Sequence, residues 1–252
     1  MLNDKKVNML SKDFSHGSHF TGYMQVILDK LKSELKSPSK ILDIPAGSGL
    51  IGNELVSLGH TVVYADINDE RPDYVQANME FILPFGDNEF DAVICMEGIE
   101  HVINQNQLLN ELVRITKKGG FICVSTPNIS NFWSRLTFLF TGHFYGFLPN
   151  LVKVIKPDVQ LDKGHISPIS LYELSYVMAV SGAGLLSATG DRLKRKALLP
   201  FALLIYPFSC LSASKIIEKL PIEMFATERN LNAYFNIRVF MSRSLIAFFV
   251  KH

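Results

Sequence analysis

Residues 40–66 read Lys40-Ile41-Leu42-Asp43-Ile44-Pro45-Ala46-Gly47-Ser48-Gly49-Leu50-Ile51-Gly52, then Asn53-Glu54-Leu55-Val56-Ser57-Leu58-Gly59-His60, then Thr61-Val62-Val63-Tyr64-Ala65-Asp66. Ile41 to Ile44 is a short β-rich run, and three glycines follow it closely. Asn53 to Leu58 has helical spacing, and Gly59 stops it. Thr61 to Ala65 is a second β-branched run ending on an acid. This order makes a β-loop-α-β unit, the start of an open parallel sheet. In such sheets ligands bind outside the carboxyl ends of the strands. Asp43, the glycine loop and Asp66 belong at that end.

Gly47-x-Gly49-x-x-Gly52 matches the dinucleotide fingerprint, with Asp66 placed as a ribose-binding acid. The literal motif would make the chain an NAD-dependent oxidoreductase. Asp43 argues against that reading. A dinucleotide seats its pyrophosphate on this turn and helix N-terminus, and a carboxylate closing the first strand repels it. The same carboxylate suits a cation. S-adenosylmethionine (SAM) carries one, an α-ammonium close to its sulfonium. Asp66 can then accept hydrogen bonds from both ribose hydroxyls. The glycines let the backbone come near a ligand where a Cβ would clash.

An acid four residues ahead of a Gly-x-Gly resembles the first motif of the class I SAM-dependent methyltransferases. A second block strengthens the resemblance: Glu80-Phe81-Ile82-Leu83-Pro84-Phe85, a polar turn, Phe90-Asp91, then the apolar strand Ala92-Val93-Ile94-Cys95. The resemblance covers residues 38 to 190. It implies an α/β, doubly wound, Rossmann-like sheet of seven strands with the last antiparallel. Helical and aromatic insertions form a cap, and the whole chain is one domain. Residues 1–37 make a helical lid, and 129–165 and 191–243 make the insertions. It implies that Asp43, Ala46, Gly47, Ser48, Gly49, Asp66, Ile67, Asn78, Met79 and Met96 contact SAM. Asn78 departs from the family, which often has Asp there to accept from the adenine amine. The Asn carbonyl oxygen can still accept. Met79 either flanks the adenine or fills core.

The chain has 252 residues, 48% hydrophobic and 19% charged, with a net charge of +1. That suits a globular core and gives no bulk electrostatic reason for a nucleic-acid partner. Cys95, Cys123 and Cys210 form no Cys-x-x-Cys, which fits a reducing, cytoplasmic setting. Met1 to Lys12 has charges and no apolar core, unlike a signal peptide.

His16, His19 and Tyr23 precede a helix over about 24–35 whose stripe is Val26, Ile27, Leu31 and Leu35. Leu108, Leu109, Leu112 and Val113 predict another helix, with Lys117-Lys118-Gly119-Gly120 as its C-terminal cap. Phe121 to Ser125 follows as a strand, and Thr126-Pro127-Asn128 stands at its ligand end. Phe132, Trp133, Phe138, Phe140, Phe144, Tyr145 and Phe147 crowd a stretch whose one charge is Arg135. It either packs on the core or meets substrate or lipid. Ser170 with Glu173 makes a capping box for a helix over 171–180. Leu185 to Thr189 and Ser244 to Lys251 are the last strands.

Ala197 to Ser214 carries no charge, and Arg192-Leu193-Lys194-Arg195-Lys196 precedes it. With Pro200 and Pro207 inside, and short of the ~20 residues of a span, it reads first as a buried cap over the pocket. The alternative is an apolar hairpin lying in a membrane face, with basic residues of 192–214 on anionic headgroups. That would place the protein peripherally on the inner membrane face.

Methyl transfer from a sulfonium is an in-line displacement that needs aligned partners more than a protein nucleophile. A hydroxyl acceptor also needs a base or a metal. Glu97 follows the fourth strand, in Met96-Glu97-Gly98-Ile99-Glu100-His101. The spacing resembles the metal site of the ubiquinone-biosynthesis O-methyltransferases, which implies that Glu97, Glu100 and His101 hold a divalent cation. Without one, Glu97 points at the reacting centre and contacts substrate or cofactor, and His101 or His165 is the candidate base. The expected activity is SAM-dependent methylation of an oxygen on a small-molecule, glycan or lipid-linked acceptor. A non-catalytic SAM-binding module docking to a membrane or partner is the alternative from another class.

Overall fold

The computed structural model describes residues 19–68, 71–147, 164–191, 196–226 and 231–252. His16, the acidic and basic pair Asp162 and Lys163, and the run Arg192 to Arg195 lie outside the described residues.

Seven strands form one sheet: β1 (Lys40–Asp43), β2 (Thr61–Asp66), β3 (Val75–Gln76), β4 (Phe90–Met96), β5 (Thr116–Pro127), β6 (Ala183–Gly190) and β7 (Ser244–Lys251). Their order is β3-β2-β1-β4-β5-β7-β6. The first five are mutually parallel, and β7 runs antiparallel to both β5 and β6. The order reverses between β1 and β4, the topological switch point at which open α/β sheets bind ligands.

Side-chain alternation explains why both faces are covered. Leu42, Val93, Cys95, Ile122, Val124 and Phe249 point to one face, against the helices α3 (Gln105–Ile115) and α5 (Leu171–Val180). Ile41, Ala92, Ile94, Phe121, Cys123 and Phe248 point to the other, against α1 (Gly22–Glu34) and α2 (Leu50–Ser57). In α1, Ile27, Leu28 and Leu31 are the buried stripe. Emptying such a site, Leu to Ala, typically costs about 2–5 kcal/mol.

The helix α2 begins three residues before the expected Asn53, directly on the turn, because Gly49 takes φ +72° as its N-cap. That conformation is a glycine's. Gly52 has a different reason. A Cβ there would run into the Tyr64 ring of β2, so the third glycine of the fingerprint lets helix and strand close up.

Two local expectations are corrected, and one strand, β3, is unexpected. Lys117 to Gly120 is not a helix cap: α3 ends at Ile115, and β5 begins at Thr116. The register shifts between Phe90 and Ala92 to accommodate these residues, and Lys117 Nζ pairs with Asp91 at 2.7 Å. The strand β3 is too short for a periodicity to announce it. The uncharged 197–214 stretch is one helix, α6 (Leu199–Ile217), not a hairpin, and it is not buried. Pro200 sits in its first turn and Pro207 inside it. The capping box at Ser170 forms as expected, Glu173 N–H donating to Ser170 Oγ at 3.2 Å.

The remaining described helices are α4 (Phe132–Thr141), α7 (Leu231–Phe235) and α8 (Ile237–Met241). Asn131 caps α4, and Asn236 caps α8.

Candidate cofactor and active site

The carboxyl ends of β1, β2, β4 and β5 bring the candidate residues together. Asp43 ends β1, and its side chain is fully buried. Neither carboxylate oxygen has a hydrogen-bond partner of ordinary geometry. Burial pushes this carboxyl well above the usual carboxylate range. The backbone N–H of Gly52 offsets that in part, and the Asp66 charge adds to it.

Asp66 ends β2 and is buried. Its Oδ2 accepts from Gly47 N–H at 2.8 Å, and its Oδ1 accepts from the Asn68 side-chain amide at 2.8 Å. The acid that the motif assigns to a ribose therefore also pins the glycine turn. Oδ1 also accepts from the Asn68 backbone N–H at 3.2 Å, so a ligand hydroxyl at Oδ1 has to share or displace an Asn68 contact. The turn itself closes by Ala46 N–H to Ala65 O and Gly49 N–H to Ala46 O. Gly47 and Gly49 are buried, Ala46 with them, and Ser48 is partly exposed. Ile67 follows Asp66 and is partly exposed, as a residue flanking a base should be.

Asn78 Oδ1 accepts from Glu80 N–H at 3.0 Å, so the adenine reading rests on its second lone pair. Met79 lies against Gly98, where a Cβ would also meet the Pro45 ring. This packing seats the 78–79 segment beside the β1 turn. Met96 closes β4 and is buried next to Ile94.

Glu97 stands just beyond β4 with φ +46°, a backbone position that non-glycine residues rarely adopt. Ser125 Oγ donates to its Oε1 at 3.3 Å. Burial raises the Glu97 carboxyl to about 7, and Asp191 adds to the rise. The Ser125 and Ser244 hydroxyls and the Arg243 charge oppose it. A rare backbone angle and a shifted carboxyl at the switch point make Glu97 a candidate functional group.

The metal expectation is revised by geometry. Among the described residues, the cluster with metal-ligand spacing holds Glu100, His101 and His165, whose donor atoms lie within 4.8 Å of one another. Glu97 is not in it; its carboxylate turns to Ser125 and Ser244 instead. His165 reaches His101 because Ile166 and Ser167 N–H both donate to Glu100 O, at 3.0 and 3.1 Å. The two imidazoles pack edge to face at 4.9 Å between centroids. His165 Nδ1 lies 2.7 Å from Gly146 O. A carbonyl only accepts, so His165 Nδ1 is the donor in this contact.

Tyr23 falls in the expected N-terminal lid, whereas sequence reading alone misses Tyr74 and Arg71. Tyr23, at the start of α1, is raised above its usual range by burial first, then by Glu97, Glu100 and Asp43. One phenol thus faces carboxylates from both β1 and β4. The Tyr74 hydroxyl donates to Gly47 O at 2.7 Å. The Tyr64 and Tyr74 rings stack at 5.7 Å, and the Arg71 guanidinium lies against both of them beside Gly49. Beyond His165 opens a cleft of about 230 Å³, lined by Phe138, Gly142, Phe144, Phe147 and Pro168.

The 3-2-1-4-5-7-6 sheet, with an acid-flanked glycine turn at its switch point, is a Rossmann-like fold shared with solved SAM-dependent methyltransferases. Residues 42–124, about a third of the chain, match the methyltransferase domain family model. It is similar to the ubiquinone biosynthesis O-methyltransferase of Rickettsia typhi, 30% identical over 155 residues, 54% of this chain and 62% of that one. The Rickettsia bellii protein of the same name is 28% identical over 179 residues, 62% of this chain and 74% of that one. The chain thus spans about six-tenths of the length of the first of these relatives. The fold is shared with a SAM-dependent methyltransferase from Archaeoglobus fulgidus, TM-score 0.54, 15% identical, covering 97% of this chain and 99% of that one. It is shared equally with the cyclase SpnF, TM-score 0.53, 15% identical, covering 90% and 80%. A fold that hosts both reactions leaves the chemistry to the site.

Proposed function

We propose that this chain binds SAM and transfers its methyl group to an oxygen of a small-molecule acceptor with an apolar part. The observation that carries the reading is Asp43. A fully buried carboxylate whose one offset is the Gly52 amide, beside a glycine turn, fits an ammonium group. It does not fit a diphosphate. Asp66 would take the ribose hydroxyls, and Ile67, Asn78 and Met79 the adenine. When bound, SAM supplies an electrophilic methyl group on a sulfonium that departs as a neutral thioether. Everything else falls to the chain. Asp43 and Asp66 orient the cofactor. Glu97, poised near neutrality, takes the proton of the acceptor hydroxyl. The start of α1 covers the carboxylates through Tyr23 and keeps water from them. The aromatic cleft beside His165 supports an apolar group on the acceptor.

Calorimetry with SAM tests the cofactor half. Asp66→Ala should lose about 2 kcal/mol of charge-assisted hydrogen bonding, roughly 30-fold in affinity. Asp66→Asn, which can keep the Gly47 contact, should lose less. Equal affinity for SAM in wild type and Asp66→Ala removes the ribose role. Tight NADH binding without SAM binding would restore the oxidoreductase. Transfer of labelled methyl groups into a cell extract separates an enzyme from a non-catalytic SAM-binding module.

The Glu100, His101 and His165 cluster favours a narrower second reading, a divalent cation beside the acceptor. One carboxylate and two imidazoles suit Zn²⁺ better than Mg²⁺. Zinc titration of the metal-free chain should show one site, weakened about tenfold or more in His165→Ala. Absence of zinc uptake leaves His101 and His165 as acceptor contacts only.

A further inference from the structure

The helix α6 has no use in the site described above, and its composition does not suit water. Phe201, Leu204, Phe208 and Leu211 are each more than 60% exposed. Within the helix Ala202 and Ile217 are the buried residues. Its one charge is Lys215, in the last turn. A helix that is apolar all round belongs in a protein core or in lipid, and this one is not in the core. Exposed apolar surface on this scale marks an interaction site.

Its attachments decide how it could meet lipid. The 19 residues of α6 make about 28 Å, close to the thickness of a hydrocarbon core. Yet both ends are held by the same globular body. At the N-terminal half Ala202 packs with Phe132, Phe240 and Met241, and the Tyr206 hydroxyl donates to Phe235 O. At the C-terminal end Ile217 packs with Leu220, Met224 and Phe225. A spanning helix would have to leave these contacts, so the helix can enter a membrane only lying flat. The neighbouring α4, packed into the same cluster, exposes Phe138, Leu139 and Phe140.

Charge selects the occupant. The helices α4, α6 and α8, joined in this cluster, carry Arg135, Lys215 and Arg238, and the carboxylate nearest α6 is Glu218, its C-cap beside Lys215, which leaves the face net positive. A second copy on the same face would bring like charges together. An anionic leaflet would complement them. We infer that α6, with the exposed end of α4, is a monotopic docking face that seats the protein on an anionic membrane. This does not depend on the methyl-transfer reading.

The test is flotation of the full chain with vesicles. Binding to vesicles of phosphatidylglycerol and phosphatidylcholine should exceed binding to phosphatidylcholine alone by about fivefold. It should fall as salt rises. The triple variant Phe201→Ser, Leu204→Ser, Phe208→Ser should lose about tenfold or more of that binding while keeping wild-type SAM affinity by calorimetry. The single variant Leu204→Glu gives the same direction should the triple variant fold poorly. No flotation, or equal flotation of wild type and both variants, overturns the inference. So does a dimer in sedimentation that the same substitutions disperse, without flotation; that result assigns the face to a second copy. Loss of SAM binding in wild type would end the cofactor reading and leave this one intact.

Discussion

Asp43→Asn should bind SAM about 100-fold more weakly than wild type and melt at a higher temperature without ligand. Both effects have one cause. The carboxyl is fully buried, and burial holds it well above the usual range with only the Gly52 amide as an offset. Its folded value therefore exceeds its unfolded value. Below the ordinary carboxylate range both states are protonated, and the residue costs nothing. As pH rises through that range the unfolded chain ionises first, so stability falls until the raised folded value is passed. Above it the full penalty persists. Asn carries no such charge, and removing a buried unpaired one is worth about 1–3 kcal/mol, roughly 2–10 °C for a domain of this size. Ligand binding runs the other way. A cation needs the ionised carboxylate, and losing that partner costs about 3 kcal/mol, the 100-fold above. Affinity of the wild type should thus fall as pH drops through the raised value, with a proton released on binding, while the Asn variant shows a flat profile. Calorimetry across pH and thermal unfolding of both chains measure this. Unchanged SAM affinity in Asp43→Asn would remove the ammonium assignment and the functional proposal with it.

Glu97→Gln should lower the rate of methyl transfer by about 10²–10⁴-fold, the usual span of a general base, with little change in SAM affinity. Glu97 is held near 7 by burial, with Ser125, Ser244 and Arg243 preventing a further rise. A base acts when deprotonated, so kcat/KM of the wild type should climb with pH through about 7 and then level off. The Gln variant should lack that limb. Ser125→Ala offers a check that separates a base from a merely structural acid. Removing a donor that favours the ionised form should move the limb to higher pH without abolishing it. A Gln variant with a wild-type profile would pass the role to His101 or His165, whose rings pack together nearby.

The membrane expectation shows how an individual reading can be half legible. The absence of charge from Ala197 to Ser214 is plain in the sequence, and it suits a buried segment as well as an exposed one. Apolar composition records what a segment avoids, not which neighbour covers it. Only the packed structure shows α6 fastened at both ends with its flank open. The Lys117 to Gly120 cap failed for a related reason. Basic residues and glycines after an apolar helix satisfy a cap rule, but pairing with Asp91 and β4 drew them into β5.

What the chain decides by itself is local. Strand alternation, the glycine turn closing on an acid, the capping box and the apolar stripes are all set by neighbours within a few positions, where backbone sterics and short hydrogen bonds act. These were enough for the sheet, the switch point and the pair Asp43 and Asp66. The tertiary structure alone decided which distant groups meet: Tyr23 over the carboxylates, Ser125 and Ser244 on Glu97, and His165 against His101 in place of Glu97. Those contacts join residues tens to hundreds of positions apart. No periodicity spans such distances; only the closing of the sheet and its loops brings these residues together.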